Sequence, residues 1–284
     1  MSSSCRFKCA MWLNSELVAQ RPEVVGLKNL EKIPKGINPI IAGTHLRSDA
    51  SLQIIARELS YKFDIGIAIQ AGNRRSFPTN TLITLVGQSN FYDIENVTTV
   101  EKVDGECMKV NKYPFVPDNY EDMKSAMKKG KTILVSAHYA PIYSGVLPEK
   151  PGYAAIYLAH LSGQRVILPV TLNIYTDDED MGRADRMSKI AKNLLSGKRP
   201  KSKMTICEPI ILDPISPSSI KLITEWLVAK RDGEYSDLKP EEQERARGVF
   251  GKMRQKDGEK LMYALAAALP PERRGVWNKK PQRK

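Results

Sequence analysis

The chain has 284 residues, 42% of them hydrophobic, enough for one large packed domain or two small ones and too apolar for a chain that stays disordered. Its 44 Lys and Arg against 32 Asp and Glu leave a net charge of +12, which suits an anionic partner: nucleic acid, an acidic protein or an anionic lipid surface. No apolar run approaches the ~18 residues of a spanning helix, and the opening MSSSCRFKCAMWLNSELVAQ has neither a signal-peptide core nor a cleavage site. A cytoplasmic protein, soluble or lying on the inner membrane face without crossing it, is the expectation.

In chain order, an N-terminal segment over 1–20 precedes the first apolar run, PIIAGT at 39–44. DIGIAIQ (64–70), KTILVSA (131–137) and RVILPVTLNI (165–174) are similar runs bounded by Gly, Pro, Lys or Asp, and all four read as buried strands. NFYDIENVTTVEKV (90–103) and KMTICEPIILDPI (203–215) read as two more. Helical spacing falls between them: over 50–60, with Leu52, Ile55, Ala56 and Leu59 on one face; over 118–129, closing at Gly130; and over 152–162, closing at Gly163.

Beyond the Pro-rich turn DPISPSS, Ile220, Ile223, Trp226 and Leu227 recur at helical spacing. PEEQERARGVFGKMRQKDGEKLMYALAAAL supplies one or two further helices, and PPERRGVWNKKPQRK reads as a basic tail without periodicity. Strands alternating with helices predict an α/β fold, a largely parallel central sheet flanked by helices, over 21–215. A helical C-terminal extension and basic tail follow over 216–284.

Several chemistries find no support. Cys5, Cys9, Cys107 and Cys207 form no zinc pattern with His45, His138 and His160, so reduced thiols and no metal are expected. YTDDEDMGRAD (175–185) lacks EF-hand spacing, LVGQSN has one glycine where a phosphate cradle needs several, and Ser136 lies in no nucleophile elbow. Lys and Arg are dispersed and no reader motif appears, so no specific nucleic acid is expected as partner.

Four blocks in order, spanning roughly 21–175, together resemble the glycerolipid acyltransferase family, whose best-known members acylate glycerol-3-phosphate and lysophosphatidic acid. They are THLRSD, resembling the family's His-x4-Asp block; LVGQSNFYDIE; ILVSAHYAPIYSGVLPEKPGYAAIYLA; and VILPVTL. The resemblance implies lipid metabolism, specifically phospholipid biosynthesis: transfer of a fatty acyl group from acyl-CoA or acyl carrier protein, as donor substrate, to a hydroxyl, with no cofactor. It also implies peripheral contact with an anionic membrane surface.

In such a reaction the acceptor hydroxyl needs a general base, and neutral imidazole suits that task near neutral pH. A carboxylate on the far ring nitrogen fixes the tautomer. His45 would be the base and Asp49 its orienter. Three residues separate them where the family has four; if a helix starts near His45, positions i and i+4 still share a face. The competing reading is that Ser48 or Asp49 caps a helix beginning at Ala50 and His45 is incidental.

The family's phosphate-holding arginines are replaced by Ile94, after Asp93, and by Ala140, after His138 and Tyr139. Neither replacement makes the forked, charge-assisted bonds that select a phosphate. An acceptor other than a classical glycerol phosphate is therefore expected, contacted by Asp93, His138 and Tyr139, with Arg47 and Lys150 as candidate anion contacts and Arg74 and Arg75 behind them. The alternative is a catalytically silent relative that binds acyl chains, acyl carrier protein or a membrane surface.

Overall fold

The computed structural model describes residues 19–44, 51–70, 91–94, 100–103, 106–109, 127–138, 145–175, 196–232 and 238–278, with 66–70, 91–94, 100–103, 106–109, 228 and 230–232 described by backbone alone. The strands are β1 (Glu23–Val25), β2 (Ile40–Gly43), β3 (Ile65–Gln70), β4 (Phe91–Ile94), β5 (Val100–Val103), β6 (Glu106–Lys109), β7 (Thr132–Ser136), β8 (Val166–Ile174), β9 (Ser202–Ile206) and β10 (Ile210–Ile211). The α-helices are α1 (Ser51–Leu59), α2 (Ala154–Leu161), α3 (Pro217–Asp232) and α4 (Pro240–Ala267).

One sheet runs β1-β9-β8-β2-β7-β3-β4, with β10 also on β8. Strands β8, β2, β7, β3 and β4 are mutually parallel. Every residue of β2 and β8 is buried, as strands covered on both faces must be. The border is reversed: β9 and β10 run antiparallel to β8, and β1 is parallel to β9. Strand β9 alternates buried and half-buried residues, the period of a strand leaving the doubly covered centre.

Alternate strand residues supply two cores. Ile41, Leu134 and Leu168 meet Leu52, Ile55, Ala56 and Leu59 of α1, the helical face anticipated from the sequence. Ile40, Ile133 and Ile167 belong to the other core, with α2, α3 and α4. In α4, Ala246, Phe250, Met253, Leu261 and Leu265 are buried, a stripe repeating at three- and four-residue steps or their sums. The Phe250 ring lies 5.1 Å from Tyr153 and 5.5 Å from Trp226, joining α2, α3 and α4. Ile223 and Trp226 are thus core residues.

Three expectations change. The strand expected over 90–103 is two strands in different sheets, since β4 pairs with β3 whereas β5 pairs antiparallel with β6. The strand expected over 203–215 is broken between β9 and β10 by Cys207, Glu208 and Pro209, where proline has no N–H for a ladder. The non-periodic basic tail includes two 3-10 turns, Pro271–Arg273 and Gly275–Asn278, with Arg273 and Trp277 buried. Trp277 Nε1 donates to Pro148 O at 2.8 Å, Leu147 N donates to Arg273 O at 2.8 Å, and the Arg273 guanidinium donates to Asn173 and to Ile174 O. The helix expected over 118–129 lies outside the described residues except for helical Met127 and Lys128, which Gly130 terminates at φ 87.

Candidate functional site

The parallel strands end at one edge of the sheet, and the direction in which the chain leaves each strand decides where a crevice forms. From β2 it passes through α1, on the Ile41 face, to β3. From β7 it passes through α2, on the Ile40 face, to β8. β2 and β7 are neighbours, so adjacent strands send their connections to opposite faces and in opposite directions. Between such strand ends open α/β sheets bind their ligands.

Two glycines and a threonine shape this edge. A Cβ on Gly43 would stand 2.8 Å from Leu52 Cδ2 and 3.0 Å from Ile55 Cδ1, so glycine lets α1 pack this close to the end of β2 without displacing those side chains. Thr44 follows, fully buried, its N donating to Val170 O at 3.0 Å and its Oγ1 accepting from Leu172 N at 2.9 Å. These bonds tie the exit of β2 to β8. On β7, Ser136 is the register partner of Gly43, and Ala137 N donates to Gly43 O at 2.9 Å. Ser136 Oγ donates to His138 O at 2.6 Å and accepts from His138 N at 3.3 Å, closing a turn that buries His138 to 2% exposure.

Gly152 N donates to Ala137 O at 3.0 Å, folding the PEKPG segment back over the end of β7. A Cβ there would meet Ala137 O at 2.8 Å and His138 Cα at 3.0 Å. Those are backbone atoms, so this position, unlike Gly43, admits only glycine without moving the chain.

The residues singled out in the sequence fall as follows. His45, Arg47 and Asp49 belong to 45–50, outside the described residues, as do Arg74, Arg75, Tyr139 and Ala140. The described chain leaves β2 at Thr44 and resumes in α1 at Ser51, so that segment starts at the crevice beside the β7 end. His138 is at that β7 end, buried. Asp93 and Ile94 end β4 at the same edge, three strands from β2, or roughly 14 Å at ordinary strand spacing. Lys150 is exposed, in the segment that Gly152 fastens to β7. Thr44 and Gly152 were not singled out, because their role lies in contacts between segments distant in sequence.

A different His-carboxylate pair is fully described. His160 Nε2 and Asp257 Oδ2 are 3.1 Å apart, with side chains 1% and 5% exposed, clamping the C-terminal turn of α2 to α4. Asp257 Oδ1 has no hydrogen-bond partner and lies 3.7 Å from Lys260 Nζ. This pair sits at the amino end of β8, away from the crevice. Burial pushes the Cys207 thiol up to about 12, so it stays protonated; it lies beside Ala264 O at 3.5 Å. Among the described residues no His, Cys, Asp and Glu cluster has the makings of a metal site, and no helix is long and apolar enough to cross a membrane.

No protein-family model and no curated protein sequence matches the chain. Among solved structures, the 1-acyl-sn-glycerophosphate (LPA) acyltransferase PlsC from Thermotoga maritima is similar over 77% of this chain and 73% of its own length, at 17% identity and a TM-score of 0.37.

Proposed function

We propose that the chain is an acyltransferase that moves a fatty acyl group from an acyl thioester, acyl-CoA or acyl-ACP, to a hydroxyl acceptor other than a classical glycerol phosphate. The observation that supports it is where the motif falls. THLRSD begins at Thr44, the last described residue of the β2 exit at the β2/β7 crevice, and its His and Asp lie in sequence between that residue and α1.

In this reading, which takes its two residues from the THLRSD block of the sequence, His45 takes the proton from the acceptor hydroxyl as its oxygen attacks the thioester carbonyl, and Asp49 stabilises the imidazolium. The tetrahedral oxyanion then collapses, the C–S bond breaks, and the imidazolium proton goes to the departing thiolate. His138, buried at the neighbouring strand end, is the candidate to hydrogen-bond a polar acceptor. Ile94 and Ala140 offer no guanidinium for a phosphate. The basic surface is read as the contact for acyl carrier protein or an anionic membrane, which added salt should weaken.

The test is thioester consumption with phosphorylated and unphosphorylated acceptors of matched chain length. General-base loss predicts that His45→Ala lowers turnover about 100- to 10,000-fold. Asp49→Asn should act on the same step, so the double variant falls little below the worse single one. Equal turnover in wild type and His45→Ala rejects catalysis by this dyad. Bound but unconsumed thioester selects the silent relative instead.

A further inference from the structure

At the opposite edge of the sheet a cleft of ≈ 660 Å³ opens between the C-terminal turn of α2 and the first turns of α3. Its size is within the range of small-molecule sites. Leu161, Ile215 and Ile220 give it an apolar wall, and its charged groups are Arg165, Lys221 and Glu225. His160 also borders it, but the imidazole is bonded to Asp257 and only 1% exposed.

Arg165 has φ 55, the one positive φ at a non-glycine among the described residues. L side chains rarely adopt that conformation, and glycine takes it freely, as Gly163 does two positions earlier at φ 75. The backbone of Arg165 is fully used: its N donates to Ala159 O at 3.0 Å and its O accepts from Leu212 N at 2.8 Å. Glycine would serve both bonds with less strain. What only arginine adds is the guanidinium, which borders the cleft and makes no hydrogen bond or ion pair among the described residues.

Lys221 adds a second cation at the rim. Its contact with Glu225 is 3.7 Å long, with the two side chains 78% and 47% exposed, a pairing that competes weakly with a ligand.

We infer that this cleft binds an amphiphilic anion, with a carboxylate or phosphate head on Arg165 and Lys221 and an apolar body along Leu161, Ile215 and Ile220. The site is separate from the β2/β7 crevice. Arg165 precedes Val170, the register partner of Gly43, by five residues, or roughly 17 Å along the strand. The inference does not depend on the acyl-transfer reading.

The experiment is calorimetric titration of the full chain with decanoate, decyl phosphate and uncharged decanol, on wild type, Arg165→Gly and His45→Ala. Losing a charge-assisted contact predicts at least about tenfold weaker anion binding in Arg165→Gly. Its melting temperature should be equal to or above wild type, because glycine relaxes the left-handed position. His45→Ala should bind as wild type does. Whichever anion binds tighter identifies the head group. Equal anion affinity in wild type and Arg165→Gly, decanol binding as tight as the anions, or no binding to wild type each overturns the inference.

Discussion

The two faces of the sheet are built on different plans. Among the described residues, one carries chiefly the nine-residue α1, the next element after β2, which meets it at Gly43, with Ala19 and Leu30 beside it. The other is covered by α2 together with α3, the 28-residue α4 and the turns that follow them, all but α2 from beyond residue 215. The first face arises from a local strand-helix unit. The second is completed by long-range packing, so residues that read in sequence as an extension close the core over Ile40, Ile133 and Ile167. Most of the cover and the strand ends of the crevice are thus drawn from separate parts of the chain, joined where Leu147 and Pro148 meet Arg273 and Trp277.

The strongest way to test that asymmetry is to end the chain after Ile215. Ile223, Trp226, Met253, Leu261, Met262 and Leu265 are buried on that face, and each such side chain contributes about 1.5–3 kcal/mol. Their sum is comparable to the ~5–15 kcal/mol stability of a whole domain. The truncated chain should lose its cooperative thermal transition by circular dichroism; an unchanged melt would show that the first face suffices.

Next in size is the clamp between α2 and α4. Asp257→Leu leaves His160 buried without its partner and should cost about 3–5 kcal/mol in denaturant unfolding. His160→Leu with Asp257→Leu should cost less than the sum of the single changes. Additive losses would mean the two side chains do not act as a pair.

Gly152→Ala is smaller in stability and more pointed in function. Its Cβ would press on Ala137 O and His138 Cα, a strain of about 1–3 kcal/mol placed at the crevice. Acyl transfer should fall more than stability does, whereas Gly248→Ala, where a Cβ meets nothing, should leave activity unchanged. Equal activity in the two variants would separate the β7 turn from the chemistry.

The smallest effect lies on the surface between α4 and the segment after β10. The hydrogen bond from Lys256, at 2.7 Å, and then its charge hold the Asp213 carboxyl below its ordinary value. A depressed carboxylate stabilises the fold above its ordinary pKa, and the contribution disappears as pH falls through the folded value. Lys256→Gln should therefore lower the melting temperature slightly at neutral pH, by an amount that shrinks as pH falls through the lowered folded value. A difference that persists in acid would assign the effect to packing by the lysine stem.

The parallel centre was legible because β2, β7 and β8 are buried on both faces and so read as unbroken apolar runs. Helix α1 was legible from its spacing. The reversed border was not, because strand direction depends on the partner and leaves no trace in the pattern of β9. The turns holding Arg273 and Trp277 were missed for a related reason: they are fixed by a few long-range hydrogen bonds, which have no period. At the crevice, His138 was legible as a histidine just past a buried strand. Thr44 and Gly152 matter through close approach between strand ends distant in sequence, which only the register reveals.

The bond between Trp277 and Pro148 joins residues 129 positions apart. At synthesis rates of about 5–20 residues per second, the segment beside the β7 end waits roughly 6 to 26 s for its anchor to be made. Through that interval Leu147 and Pro148, beside the β2/β7 edge, lack their partners Arg273 and Trp277, and the α2 face is covered in turn by α3 and then α4 only as these are made. Slow translation of residues 216–278 therefore prolongs the exposure of that apolar face.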